Sequence, residues 1–195
     1  ASRYRGSGVA PVDDPADEEL DLSIDDREPA NNEDLVGEVT GLAVGPDHED
    51  LLDGDVMTIE VVAKPGDGAE VTGRSGDVLK QSVLAAWRHV QQHAEEYGIP
   101  EEKLRDHGVS VHLVNISEYR EGSSAGMPFV VAMVSALSNR PVRRAVAMSG
   151  EVSLKGKVSA VGGVPQKVVA AYKKGRKRVI LPKANARDLE RVPRE

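Results

Sequence analysis

Ala147-Met148-Ser149-Gly150-Glu151-Val152-Ser153-Leu154-Lys155-Gly156-Lys157-Val158-Ser159-Ala160-Val161-Gly162-Gly163-Val164-Pro165-Gln166-Lys167 carries the alternation from strand to helix that decides the fold. Residues 145–161 read as two strands about a Lys155-Gly156-Lys157 turn, since short apolar runs there are broken by turn formers. Gly162-Gly163 makes a tight turn, which accounts for the pair better than a phosphate cradle does. Pro165 opens a helix from Lys167 to Lys174, because a proline in the first turn forfeits no hydrogen bond. Gly175 stops that helix, Val179-Ile180-Leu181 returns as a short strand, and Ala186 to Arg191 supplies a last helical turn or two.

Working back towards the N-terminus, the polar loop Asn115 to Ser123 joins a strand, Val109 to Val114, to a helix from Gly126 to Leu137 with Pro128 in its first turn. Leu79, Val83, Ala86, Val90, Ala94 and Tyr97 recur at three- and four-residue steps and so line one face of a helix from Asp77 to Gly98. Val39 to Val44 and Val56 to Ala63 are strands, the second closed by a Pro65-Gly66-Asp67-Gly68 turn. Strands come first and then alternate with helices, which predicts an α+β domain over residues 35–195. Residues 1–34, acidic and poor in apolar positions, read as a linker or flexible tail.

Composition removes several classes of function. The 195 residues include no cysteine, so disulfides, thiolate nucleophiles and cysteine-based zinc sites are out. Aromatic residues at 3 % are too few for base-stacking platforms, and a net charge of −7 argues against general nucleic-acid affinity. Charge is nevertheless polarised: residues 1–60 hold 18 acids and 3 bases, residues 139–195 hold 15 bases and 4 acids. The basic third could meet an acidic partner. No apolar run approaches the roughly 18 residues a membrane span needs, and no signal pattern opens the chain, so a soluble cytoplasmic protein without membrane partners is expected. A start at Ala1 in a polar stretch suggests a piece of something longer. There is no GxGxxG or GxxxxGK(S/T) loop, so this segment is not expected to hydrolyse ATP.

Ser123 and Ser124, between Gly122 and Ala125-Gly126, stand where the next helix begins. Serine there is an N-cap or, with helix-start amides beside its hydroxyl, a nucleophile with an oxyanion site. Lys167 is a surface lysine or a base; its neighbours Val164, Val168, Val169, Ala170 and Ala171 are apolar. Residue types alone leave both pairs of alternatives open. His89 and His93 have the i, i+4 spacing of zinc ligands but lie off the apolar face and lack the Glu of HExxH, so they read as exposed and no metal is predicted. His112 is a candidate hydrogen-bond partner for the site, but a strand histidine is more often structural, so a Ser–His mechanism is the weaker reading.

Three stretches together, Glu121-Gly122-Ser123-Ser124-Ala125-Gly126, Ala147 to Gly156, and Gly162 to Lys167, resemble the proteolytic domain of the Lon protease family. The similarity continues through Gly37 to Ala43, Gly73 to Gly76 and Val179 to Asn185, covering roughly residues 36 to 193. The resemblance implies the Lon proteolytic-domain fold, like the second domain of ribosomal protein S5, with mixed small sheets and helices packed on them. It implies an ATP-dependent serine endopeptidase in which Ser124 is the nucleophile and Lys167 the general base, supported by Ser149, Glu121, Gly122 and Ala125. Protein or peptide substrates, an AAA+ ATPase domain in the same chain and a homo-hexamer follow from it. No cofactor is implied for this domain, ATP and Mg belonging to the motor. Ser149 stands where a threonine is usual, Glu121 where an aspartate is, Ser123 where a proline is, and Asn115 to Arg120 replace a Pro-Glu-Gly-rich stretch. The altered stretch Asn115 to Arg120 and the basic C-terminal third motivate an alternative: a non-proteolytic assembly platform in an ATP-dependent machine, one possibly associated with nucleic acid. A lysine can act as base once burial draws its pKa from about 10.4 towards 7 to 8, at roughly 4 kcal/mol.

Overall fold

The computed structural model describes residues 33–45, 50–73, 76–114 and 122–193. The tail expected over 1–34 lies almost wholly outside them, as do Glu121 and the unusual stretch Asn115 to Arg120.

Four of the five strands of the main sheet surround β1, Glu38–Val44, in the order β3-β2-β1-β4-β7. β2, Gly54–Thr72, runs antiparallel to β1, with Gly41 opposite Met57. The turn expected at Pro65 to Gly68 is present but does not end the strand. Thr58 to Pro65 pair with Val114 to His107 of β3, His107–Val114; after the register shifts, Ala69 to Thr72 pair with Val109 to His112. Ala63 and Ala69 therefore share Val109 as partner, and β3 is held between two arms of one reversing chain. On the other side of β1, β4 (Val146–Met148) and β7 (Arg178–Ile180) add in parallel.

The helix read from Asp77 to Gly98 is α1, Asp77–Gln92, followed by turns to Gly98. Its predicted face is the core: Leu79, Val83, Ala86, Val90 and Ala94 are buried. After α2 (Glu101–Asp106) and β3 comes α3, Gly126–Ser138, apolar nearly all round because α1 covers one flank and the sheet another. Phe129, the only phenylalanine, is fully buried in it.

The region read as two strands is three. β4 stops at Met148 in the main sheet, and β5 (Glu151–Val152) and β6 (Val158–Ser159) form a separate hairpin about Gly156. α4 spans Val164–Lys173, starting one turn earlier than the proline rule placed it. It ends in a Schellman arrangement at Gly175, with Arg176 N–H donating to Ala171 C=O and Gly175 N–H to Tyr172 C=O. β4, α4 and β7 make one parallel crossover, closed by a 3-10 helix, Lys183–Arg191. No helix among the described residues is long and apolar enough to cross a membrane.

Candidate active site

Ser124 lies in the turn that leads into α3, and its hydroxyl is not a helix cap. Ala125 occupies the N-cap position, and no side chain caps the helix. The helix start is tied down by backbone instead: Met127 N–H donates to Gly150 C=O and Gly150 N–H donates to Ser124 C=O, both at 2.8 Å. Gly150 thus fastens the serine turn to the end of β4. Gly122 lines the cleft beside Ser124, and Ala125 is buried beneath it.

Lys167 sits one turn into α4. Gly163, at the N-cap, has φ of 64°, a conformation that L side chains adopt only with strain, and a Cβ there would collide with Val44. The turn so made brings α4 against β1 and β2, and Lys167 is left only 1 % exposed. Its Nζ donates to Ser149 Oγ at 3.0 Å, and Ser149 Oγ donates to the Ser124 carbonyl at 3.2 Å. Ser149 is itself fully buried, immediately after β4. Burial lowers the Lys167 pKa from 10.5 to about 8.

A cleft of about 710 Å³ opens over this arrangement, lined by Ser124, Lys167, Glu151, residues 160–166 and, from the 3-10 helix, Asp188 and Arg191. The structure therefore brings Ser124 and Lys167 to one cleft with Ser149 bridging beneath them. Glu121 lies outside the described residues.

The family model for the Lon protease (S16) C-terminal proteolytic domain matches residues 18–195. This chain belongs to the Lon protease family. It is 42 % identical over 167 residues to Lon protease 1 of Thermus thermophilus, covering 85 % of this chain and 20 % of that protein. Lon protease 4 of Sorangium cellulosum is 43 % identical over 162 residues (83 % and 20 %), and the Clostridium acetobutylicum Lon protease 39 % over 165 (84 % and 21 %). The chain spans about a fifth of the length of the curated relatives it matches.

Two histidine readings meet different outcomes in this Lon domain. His112 is exposed, 2.8 Å from Thr72 Oγ1 and away from the cleft. His89 is not the exposed residue its spacing suggested: it is 7 % exposed, and Nε2 lies 2.7 Å from the Tyr97 hydroxyl. The β5–β6 hairpin covers that flank of α1, and Gly156 allows it to close on the ring, where a Cβ would collide. Such burial by a distant hairpin has no helical period to betray it. His93 stacks on His89 with ring centroids 4.2 Å apart. No group of three metal-ligating side chains occurs among the described residues. Sequence reading also assigned no role to Asn185, Asp188 or Arg191, which shape the cleft, because polar residues in a short helical turn look alike whether buried or exposed.

Proposed function

We propose that this Lon-family domain hydrolyses peptide bonds as a serine peptidase, with Ser124 attacking the scissile carbonyl and Lys167 as general base. The buried Lys167 amine carries this reading. An amine with a pKa of about 8 supplies a neutral fraction near neutrality, and after donating to Ser149 it keeps a lone pair for the Ser124 proton. Two helix-start amides are already engaged, Gly126 N–H with Ser123 C=O and Met127 N–H with Gly150 C=O. The oxyanion contacts therefore fall to the N–H groups of Ser124 and Ala125, at the positive end of α3.

The remainder of the reading follows the family. We assign the fold to the Lon proteolytic type, similar to the second domain of ribosomal protein S5. Substrates are unfolded or damaged polypeptides, delivered in the cytoplasm by an AAA+ ATPase domain of the same chain in a homo-hexameric ring. The domain itself uses no cofactor, ATP and Mg acting at the motor. A pure assembly platform would gain nothing from an amine held away from water, so the buried lysine weighs against that alternative.

The test compares wild type with Ser124→Ala on a fluorescent unfolded protein, with the motor present and across pH. Wild-type hydrolysis should rise through about pH 8 and then level as Lys167 loses its proton. Ser124→Ala should lose about a thousandfold or more. Equal cleavage by both proteins, or none by either, removes Ser124 from the mechanism, and a rate flat between about pH 6 and 9 removes the lysine base.

A further inference from the structure

The β5–β6 hairpin has little of its own to hold it in place. Each strand is two residues long, and Ser153, Leu154, Lys155, Lys157 and Val158 about its turn are exposed. A two-stranded ribbon of that size is marginal at best in water, so its seating depends on what it touches. At its base, Val152 is buried, and its backbone nitrogen lies so close to Gly126 that a Cβ there would collide. Gly150, the residue before β5, accepts from Met127 N–H and donates to Ser124 C=O, so the base also fastens the nucleophile turn. At its tip, Gly156, with φ of 75°, lies against the Cε1–Nδ1 edge of the buried His89 ring. One short ribbon thus joins a histidine of α1 to the start of α3.

The ring is poorly placed to carry a second proton. Nε2 is shared with the Tyr97 hydroxyl, and Nδ1 is buried with no partner among the described residues. A neutral imidazole fits, because Nδ1 can be a bare acceptor while Nε2–H donates to Tyr97. An imidazolium does not, because Nδ1–H would then face the hairpin backbone without an acceptor. Burial first, and then the charge of His93, whose ring centroid is 4.2 Å away, oppose protonation; Glu96 favours it more weakly. The hairpin adds Lys155 and Lys157 on either side of Gly156, α3 has no titratable side chain, and β2 turns Met57, Ile59 and Val61 to the core it shares with α1. A proton on Nδ1 reaches water only if the covering element lifts, and that element is the hairpin.

We propose that His89 is a positioning residue for the Ser124 turn: neutral, it seats the β5–β6 hairpin, and protonated, it releases the hairpin and loosens the nucleophile from a distance. This rests on the Ser124 turn being the peptidase centre, but the release is read without hydrolysis.

Hydrogen exchange resolved by NMR in the 195-residue chain, from about pH 7.5 to about pH 5 and with intrinsic rates divided out, follows four amides. Gly156 and Lys157, bonded to Ser153 C=O and Oγ, report on the hairpin; Gly150 and Met127 report on the nucleophile turn. Opening exposes an imidazole of ordinary pKa, so below 6.5 it takes up a proton. Protection at all four amides should then fall by up to about tenfold per pH unit, levelling once the closed form is protonated too. The Ile59 amide, at the sheet centre, should stay at least about a hundredfold better protected, which marks a local release rather than unfolding. His89→Gln, polar but not titrating, should flatten the profile at all four positions, which a merely structural role would not do. Gly156→Ala, whose Cβ collides with the ring, should free the same amides already at about pH 7.5, and it serves if His89→Gln does not fold. Protection at Gly150 and Met127 that ignores pH in the wild type, follows it alike in His89→Gln, or survives Gly156→Ala overturns the proposal. Loss confined to Gly156 and Lys157 overturns it as well, since the hairpin then moves without the nucleophile turn. None of these results depends on whether Ser124 is a nucleophile, which the cleavage test decides separately.

Discussion

Replacing Lys167 with methionine should make the protein more stable at neutral pH while removing its activity. Holding the lysine pKa at about 8, against 10.5 in the unfolded chain, corresponds to roughly 3 kcal/mol at about 1.4 kcal/mol per pH unit. Losing the hydrogen bond to Ser149 returns about 1 kcal/mol, leaving a net gain of about 2 kcal/mol. For a domain of this size that raises the melting temperature by about 4 to 8 °C. Below pH 8 both folded and unfolded lysines are protonated, and the folded state bears the whole desolvation penalty. Between pH 8 and 10.5 the folded amine is neutral while the unfolded one still binds its proton, so the wild type recovers as pH rises. The advantage of Lys167→Met is thus largest at pH 7 and fades towards pH 10.5. Urea unfolding followed by Trp87, the single and buried tryptophan, measures it at pH 7 and about pH 10. A variant less stable than wild type at pH 7, or an advantage that does not shrink by pH 10, would refute the argument from burial.

Other perturbations probe the same scaffold. Ser149→Ala leaves the buried amine without its oxygen and should cut hydrolysis by about ten- to a hundredfold, whereas Ser149→Thr, which keeps the hydroxyl on a stiffer side chain, should retain activity; steady-state kinetics on an unfolded substrate separates the two. Gly163→Ala, forced to φ of 64° against Val44, should lose at least about 1 kcal/mol, read from urea midpoints. Burial, and then the charge of His93, holds the His89 pKa below its ordinary 6.5. The unfolded chain therefore takes up a proton first, and stability falls as pH drops through 6.5; His89→Gln should fall less between about pH 7 and 5 in paired melting curves.

Local chemistry made much of the scaffold readable. The period of Leu79 to Ala94 located α1 and its buried face, and Gly175 marked the end of α4 through a cap that only residues next to one another build. Readings failed where a partner far along the chain decided the outcome. β2 continues past Pro65 to Gly68 because β3 accepts both of its arms, and His89 is buried because the β5–β6 hairpin closes over it. Ser124 escapes the N-cap role because Gly150, in the link between β4 and β5, satisfies the helix start with backbone groups.

The amino-acid sequence by itself determined the α+β order of elements, the absence of cysteine chemistry, and a resemblance naming Ser124 and Lys167 as the pair to examine. Periodicity, caps and turns act over a few residues, so they are written in neighbouring letters. Only the tertiary structure decided that Lys167 is stripped of water, that Ser149 links it to the Ser124 turn, and that Asn185 holds the cleft wall. Desolvation depends on everything packed around a group, and the strand, the crossover helix and the closing helical turn that surround this one meet only when the whole sheet has formed.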